Sequence, residues 1–144
     1  MRILMSACLL GVNCRYNGAR KALPDAVLQR LLENHTVVPV CPEQLGGLTT
    51  PREPSERQGG RVVMRSGRDV TAQYERGAQE TLRLCRQFGC TAAVLKERSP
   101  SCGRGAVYDG TFTGTLTPGD GVTAALLLEN GVAVYGEGEI DKLL

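Results

Sequence analysis

The chain has 144 residues, with 17 Lys and Arg against 15 Asp and Glu, a formal charge of +2. Hydrophobic residues make up 42% and charged residues 22%, which is ordinary for a soluble protein. This length allows one buried core, so we expect a single domain over residues 1–144. The small, unclustered positive charge argues against binding of duplex nucleic acid. The apolar runs are too short to cross a bilayer, so we expect no membrane association.

Cysteine usage and the start of the chain indicate the compartment. The first residues enter a strand-like run without the charged region and cleavage site of a signal peptide, which predicts a cytoplasmic protein. Because reducing compartments disfavour disulfides, six cysteines favour metal-binding or catalytic roles. The chain has no Cys-x-x-Cys pair and one histidine, His35, so a zinc ribbon, a thioredoxin-type site and a mixed Cys/His zinc site are disfavoured.

The first third of the chain predicts a βαβ unit. Residues 2–7 form a buried strand, and a loop follows over 9–20 with turn-forming Gly and Asn. Pro24 and Asp25 open a helix that ends at Glu33-Asn34, and residues 37–40 form the second strand. A helix between two buried strands predicts a parallel pair with a right-handed crossover.

The middle third contains the first of two long loops. Residues 42–69 are irregular, with a small strand at 61–64, and loops this long inside a domain are usually functional. Asp69 or Thr71 caps a second helix that runs to about Phe88. Residues 91–95 form the third strand of the main sheet.

The last third repeats the alternation. A second long loop runs to about Gly119, with a hairpin or substrate-wall segment at 106–112. Residues 122–129 form a helix and 132–135 a strand, before a polar end that is frayed or a short helical tail. The order predicts an α/β fold: a three-layer, Rossmann-like domain with a mainly parallel sheet of about four strands.

Three of the cysteines follow strand ends. Cys8, Cys41 and Cys102 each come shortly after a predicted strand. In open parallel sheets the ligand crevice lies outside the carboxyl ends of the strands. These three thiols can therefore converge, although they are far apart in the sequence.

The other cysteines are placed differently. Cys85 lies on a helix face and Cys90 at the entry to the third strand, so both are predicted to be small buried core residues. Cys14 lies in the first loop, on the same side as the three strand-end thiols, and could be a spare ligand or a neighbour of the ligands.

Three thiols leave several readings open. A [4Fe–4S] cluster normally takes four cysteines, and with three it keeps one iron open to substrate as a Lewis acid. Zinc with three thiolates is known from base deaminases, but their Pro-Cys-x-x-Cys element is missing here. Spacing alone does not separate a cluster site from a zinc site or from three unrelated buried thiols.

Charged residues near the thiols are candidates for the chemistry. Glu43, two residues after Cys41, could serve as general base or acid, or could form a salt bridge with Arg15, Arg52 or Lys96. The two arginines could clamp an anionic or carbonyl-bearing substrate, or form structural ion pairs.

Small residues near the thiols could likewise contact a ligand or have a purely structural role. Ser99 and Ser101 bracket Pro100 before the third thiol, and their hydroxyls could position substrate or stabilise the loop. Gly46 and Gly47 allow backbone N–H groups to come close to a ligand.

Several segments, in order, resemble the DUF523 family. They are residues 6–11 (SACLLG), 14–18 (CRYNG), 41–48 (CPEQLGGL), 51–52 (PR), 95–103 (LKERSPSCG), 108–112 (YDGTF) and 119–123 (GDGVT). Asn17 stands where the family often has Asp. The resemblance covers nearly the whole chain.

The resemblance implies a thiouracil desulfidase. In that case Cys8, Cys41 and Cys102 bind an oxygen-sensitive [4Fe–4S] cluster with one open iron, which takes the sulfur of a thiolated pyrimidine such as 4-thiouracil. Water replaces the sulfur, and uracil and hydrogen sulfide leave without net redox change. The partner is then a small thiolated base, and the protein is a monomer or homodimer.

The resemblance also assigns roles near the cluster. Glu43 and one of Ser99 or Ser101 handle protons and position the substrate. The predicted substrate contacts, apart from these, are Arg15, Gly46, Gly47 and Lys96. The alternatives are a non-enzymatic iron–sulfur or sulfur carrier and a zinc-binding structural protein.

Overall fold

The computed structural model describes residues 1–19 and 22–144. In chain order the elements are β1 (Arg2–Ser6), α1 (Asp25–Asn34), β2 (Thr36–Val40), α2 (Pro42–Leu45), β3 (Ser55–Gln58), β4 (Arg61–Met64), α3 (Thr71–Gln87), β5 (Ala92–Leu95), β6 (Ala106–Tyr108), β7 (Leu116–Pro118), α4 (Val122–Glu129) and β8 (Ala133–Gly136). Short 3-10 helices cover Ala7–Leu10 and Glu137–Leu143.

Four strands form the central sheet in the order β2-β1-β5-β8, and every neighbouring pair is parallel. Within it, Ile3 is in register with Val37 on one side and with Ala92 on the other. Such sheets are buried on both faces, which is why their strands are almost continuously apolar. The predicted α/β class and the mainly parallel four-stranded sheet are confirmed.

Helices cover both faces of the sheet, so the fold has three layers. On one face, Leu4 of β1 packs in a cluster with Leu82 of α3 and Leu127 of α4. On the other face, the neighbouring Ile3 packs in a cluster with Leu31 of α1. Successive side chains of a strand point to opposite faces, so one short strand serves both clusters. No helix among the described residues is long and apolar enough to span a membrane.

Two loop regions contain more structure than the sequence predicts. The stretch 42–69 holds the four-residue helix α2 and the strand β3, which pairs antiparallel with β4. Elements of four residues are too short to show a periodic pattern, and they form here because tertiary contacts stabilise them. The segment at 106–112 is part of a hairpin of β6 and β7, one of the two predicted alternatives.

The C-terminal residues and the first predicted loop can also be compared with the structure. The C-terminal residues form a 3-10 helix, and its Leu143 is buried in the same cluster as Ile3. Of the two predictions for this end, the short helical tail is therefore correct and the frayed end is not. The predicted loop over 9–20 ends at Arg20, which lies outside the described residues.

Candidate active site

Three thiols meet at one edge of the sheet. Cys8 lies in the 3-10 helix directly after β1, Cys41 directly after β2, and Cys102 in the loop after β5. All three line one cavity of about 680 Å³. The parallel arrangement brings the carboxyl ends of the three strands to this edge, as it does in other open α/β sheets.

Two of the three thiols, those of Cys41 and Cys102, have raised pKa values in the metal-free protein. Burial raises the pKa of Cys102 to about 12. A hydrogen bond with the Cys14 thiol, together with burial, raises the pKa of Cys41. Metal binding at Cys41 and Cys102 must therefore release protons. Among residues 1–19 and 22–144, no three His, Cys, Asp or Glu side chains are gathered around a point where a single ion could sit.

Cys14 is a fourth, buried thiol on the cavity wall. Its carbonyl oxygen accepts hydrogen bonds from Cys41 Sγ at 3.8 Å and from Arg52 Nη2 at 3.0 Å. The first loop is thereby fixed against the loop that follows β2. Cys85 and Cys90 lie elsewhere, buried in the core, where Cys85 Sγ donates to the Cys90 carbonyl at 3.4 Å.

Glu43 lies on α2 and lines the cavity. Among the described residues, all hydrogen bonds of its side chain are made by one carboxylate oxygen. Its Oε2 accepts from Arg52 Nε at 3.1 Å, from Arg52 Nη2 at 3.0 Å and from the Tyr74 hydroxyl at 2.8 Å. Its Oε1 has no hydrogen-bond partner among the described residues. Of the three cations that the sequence offered to this carboxylate, Arg52 is the one that pairs with it.

The other two predicted cations both line the cavity but differ in their partners. Lys96 Nζ forms an ion pair with Glu137 Oε1 at 2.7 Å and also donates to the Glu97 carbonyl at 3.3 Å. Arg15 is half-buried, and its guanidinium makes no side-chain hydrogen bond within the described part of the chain. Arg15 is therefore the cation of this pair that is available to a ligand.

The two candidate serines have different surroundings. Ser99 lines the cavity, and its Oγ accepts the backbone N–H groups of Ser101 and Cys102, both at 3.1 Å. Since this oxygen already accepts two hydrogen bonds, the hydroxyl proton is the part of Ser99 left for a ligand. Ser101 is fully buried, and its Oγ lies 2.9 Å from Thr123 Oγ1 of α4. The structure brings Ser99 to the cavity wall and turns Ser101 into the core.

Gly46 and Gly47 do not line the cavity. A Cβ at Gly46 would overlap the carbonyl oxygen of Gln73 on α3, so this glycine lets α2 lie directly on α3. Gly47 has a φ of +93°, a left-handed conformation that favours glycine and turns the chain away after α2. Both residues support the helix that carries Glu43.

Tyr74 makes a contact with Glu43 that the sequence did not predict. It lies on α3 and is buried, and its hydroxyl reaches Glu43. Burial and the nearby Glu43 carboxylate raise the pKa of Tyr74, so the hydroxyl keeps its proton and donates. A helical pattern identifies the buried face and carries no signal for the partner of a hydroxyl.

A buried carboxylate that the sequence did not single out holds the rim of the cavity. Glu56 of β3 lines the cavity, and its Oε1 accepts the backbone N–H groups of Gly110 at 3.0 Å and Phe112 at 3.1 Å. The loop between β6 and β7 is thereby fixed to β3. This explains how the small hairpin layer forms part of the cavity wall.

The chain is similar to a protein family, to a bacterial protein and to a solved structure. The family model described as 2-thiouracil desulfurase matches residues 3–139. The uncharacterized protein YbbK of Bacillus subtilis (strain 168) is 44% identical over 152 residues, covering 99% of both chains. A solved structure, the [4Fe-4S]-dependent thiouracil desulfidase TudS (DUF523Vcz), is 46% identical with a TM-score of 0.94, and the match covers 99% of this chain and 94% of that one.

Proposed function

Because the chain belongs to the 2-thiouracil desulfurase family, we propose that it is a [4Fe–4S]-dependent desulfidase acting on a thiolated pyrimidine such as 4-thiouracil. The reaction replaces sulfur by oxygen: the thiolated base and water give uracil and hydrogen sulfide, with no net redox change. The observation that carries the proposal is the meeting of three strand-end thiols with Glu43 and Ser99 in one cavity. We place the reaction in the cytoplasm, where thiols stay reduced.

The residues present fit such a cluster. Cys8, Cys41 and Cys102 supply soft sulfur donors on the wall of one cavity, and thiolates are the usual ligands of iron–sulfur clusters. Three ligands would leave one iron without a protein donor. When bound, the cluster would supply a Lewis acid for the substrate sulfur at that iron. Cys14 supports the neighbouring loop through its carbonyl and is not assigned as a ligand.

Glu43 and Ser99 move the protons in this proposal. Glu43 Oε1, free of hydrogen bonds within the described residues, accepts a proton from the water that attacks the ring carbon. The Ser99 hydroxyl donates its proton to the pyrimidine as the carbon–sulfur bond weakens. Its oxygen already accepts two backbone N–H groups, so the hydroxyl acts as a donor. Two groups with opposite roles on one cavity wall suit a hydrolysis that both takes and returns protons.

Of the two cations Arg15 and Lys96 on the cavity wall, Arg15 orients the substrate. Arg15 binds a carbonyl oxygen of the base through its guanidinium. Lys96, which is held by Glu137, adds positive charge to the wall without being free to move far. Gly46 and Gly47 act indirectly here, because they support α2 rather than line the cavity.

The test is purification and reconstitution under strict exclusion of oxygen. We expect about four iron and four sulfide ions per chain, and release of hydrogen sulfide from 4-thiouracil in step with uracil formation. Cys85→Ala is the matched control, since that thiol is buried in the core away from the cavity. A reconstituted protein that binds the cluster but converts no thiolated pyrimidine would contradict the proposal, and cluster transfer to an acceptor would then favour the carrier alternative.

A further inference from the structure

Tyr74 contacts Glu43, the proposed catalytic carboxylate, from helix α3 and not from the strand ends that carry the three cysteines. It is 2% exposed on α3, and its hydroxyl donates to Glu43 Oε2 at 2.8 Å. Arg52 donates to the same oxygen through Nε and Nη2. Three buried or nearly buried donors on one oxygen fix the plane and the rotamer of the carboxylate.

A pair of glycines brings these two residues together. Gly46 lies three residues after Glu43 on the α2 side, and Gly77 lies three residues after Tyr74 on α3. A Cβ at Gly77 would overlap the carbonyl oxygen of Pro42, just as a Cβ at Gly46 would overlap that of Gln73. The backbones of α2 and α3 are therefore in direct contact, and this contact sets the distance between Glu43 and Tyr74.

We propose that Tyr74 is a positioning residue for Glu43, an inference that rests on the proposed function. Tyr74 and Arg52 hold Oε2 so that Oε1 alone faces the reacting water. Without the tyrosine hydroxyl, the carboxylate keeps its ion pair but gains rotational freedom. Because a shift of about 1 Å in a reacting group costs up to about 100-fold in rate, loss of this one contact slows turnover without removing the base.

The test is the Tyr74→Phe enzyme, reconstituted with its cluster. We expect kcat to fall about 10-fold while KM changes less than about twofold, and iron content per chain to equal that of the unsubstituted protein. Tyr135→Phe is the matched control, because Tyr135 lies on β8 outside the cavity and its hydroxyl has no hydrogen-bond partner in the described residues. A rise in KM with unchanged kcat would overturn the proposal, as would loss of iron.

Two further measurements separate positioning from a general structural effect. In a Glu43→Gln background, whose remaining turnover does not use the carboxylate, Tyr74→Phe should have no additional effect on kcat. An equal loss in both backgrounds would overturn the proposal. In the cluster-free protein, the infrared carboxylate band that Glu43→Gln removes should shift in frequency when Tyr74→Phe is introduced.

The infrared measurement is independent of the reaction. If the unsubstituted protein converts no thiolated pyrimidine, the proposed function fails, while a shifted band still shows that Tyr74 holds Glu43. An unshifted band means that the hydroxyl does not bind this carboxylate, and it would overturn the positioning role even in an active enzyme.

Discussion

Arg52 donates hydrogen bonds from Nε and Nη2 to the same oxygen of Glu43, Oε2, at 3.1 and 3.0 Å. The arginine side chain is only 3% exposed. The same guanidinium donates to the carbonyl oxygens of Thr49 and Cys14, each at 3.0 Å. One buried arginine thus joins the loop after α2 to the loop after β1, and it places the proposed base between them.

Removing this arginine should destabilise the whole domain. In Arg52→Met the Glu43 carboxylate loses its buried partner, and we expect the free energy of unfolding of the cluster-free protein to fall by about 3 kcal/mol. Urea unfolding measures this. Adding Glu43→Gln should restore part of the loss, because the unpaired charge is then gone.

An exposed ion pair provides the control. Arg83 and Glu80 pair at 2.8 Å with side chains that are 59% and 40% exposed, so Arg83→Met should cost less than about 1 kcal/mol. Equal losses from both substitutions would show that burial of Arg52 does not decide its contribution.

The cysteines should divide into two groups by iron content. Cys8→Ala, Cys41→Ala and Cys102→Ala each remove a proposed ligand, so each protein should lose the cluster and sulfide release. Cys85→Ala and Cys90→Ala remove core thiols and should retain both, with some loss of stability from the small cavity left behind. Iron and sulfide assays under anaerobic conditions distinguish the groups. Full cluster occupancy in any of the first three would remove that cysteine from the ligand set.

The two serines should separate in the same assays. Ser99→Ala removes a hydroxyl donor from the cavity, and we expect turnover to fall by about 100-fold or more, with Ser99→Thr recovering part of it. Ser101→Ala leaves the Thr123 hydroxyl without its partner, so it should lower stability by about 1 kcal/mol and leave turnover unchanged. The reverse pattern would assign the proton donor to Ser101. Iron content must be compared in both, since each serine lies close to Cys102.

Acid should weaken the start of α3. Hydrogen bonds from the hydroxyl and backbone N–H of Thr71, and then from Arg61, lower the pKa of Asp69 to about 2, from 3.8 for the free side chain. Because the pKa is lower in the folded state, the charged form stabilises the fold above about pH 4, and this contribution is lost between about pH 4 and pH 2. Asp69→Asn should therefore be less stable than the unsubstituted protein at neutral pH, with the difference shrinking toward pH 2. Thermal unfolding at a series of pH values measures this, and a difference that is independent of pH would contradict it.

The order of the main elements follows from local pattern in the sequence. The helix bounds at Asp25–Asn34 and Val122–Glu129 agree with those that the sequence predicts, and the four apolar runs are the four parallel strands. Strands of a parallel sheet that is covered on both faces are mostly apolar, and this can be read without knowing their neighbours. The position of three cysteines just after strand ends is equally local, which is why the sequence alone could point to one edge of the sheet.

Only the tertiary structure decided which side chains meet there. The sequence offered Arg15, Arg52 and Lys96 as partners of Glu43, and packing selected Arg52. It offered Ser99 and Ser101 equally, and packing turned one to the cavity and the other to α4. Hydrogen bonds between residues far apart in the chain depend on how helices and loops dock. They require donor and acceptor to be placed to within a few tenths of an ångström, which no periodic pattern encodes. The contact of Tyr74 with Glu43 is of this kind: it exists because two glycines allow two helix backbones to touch.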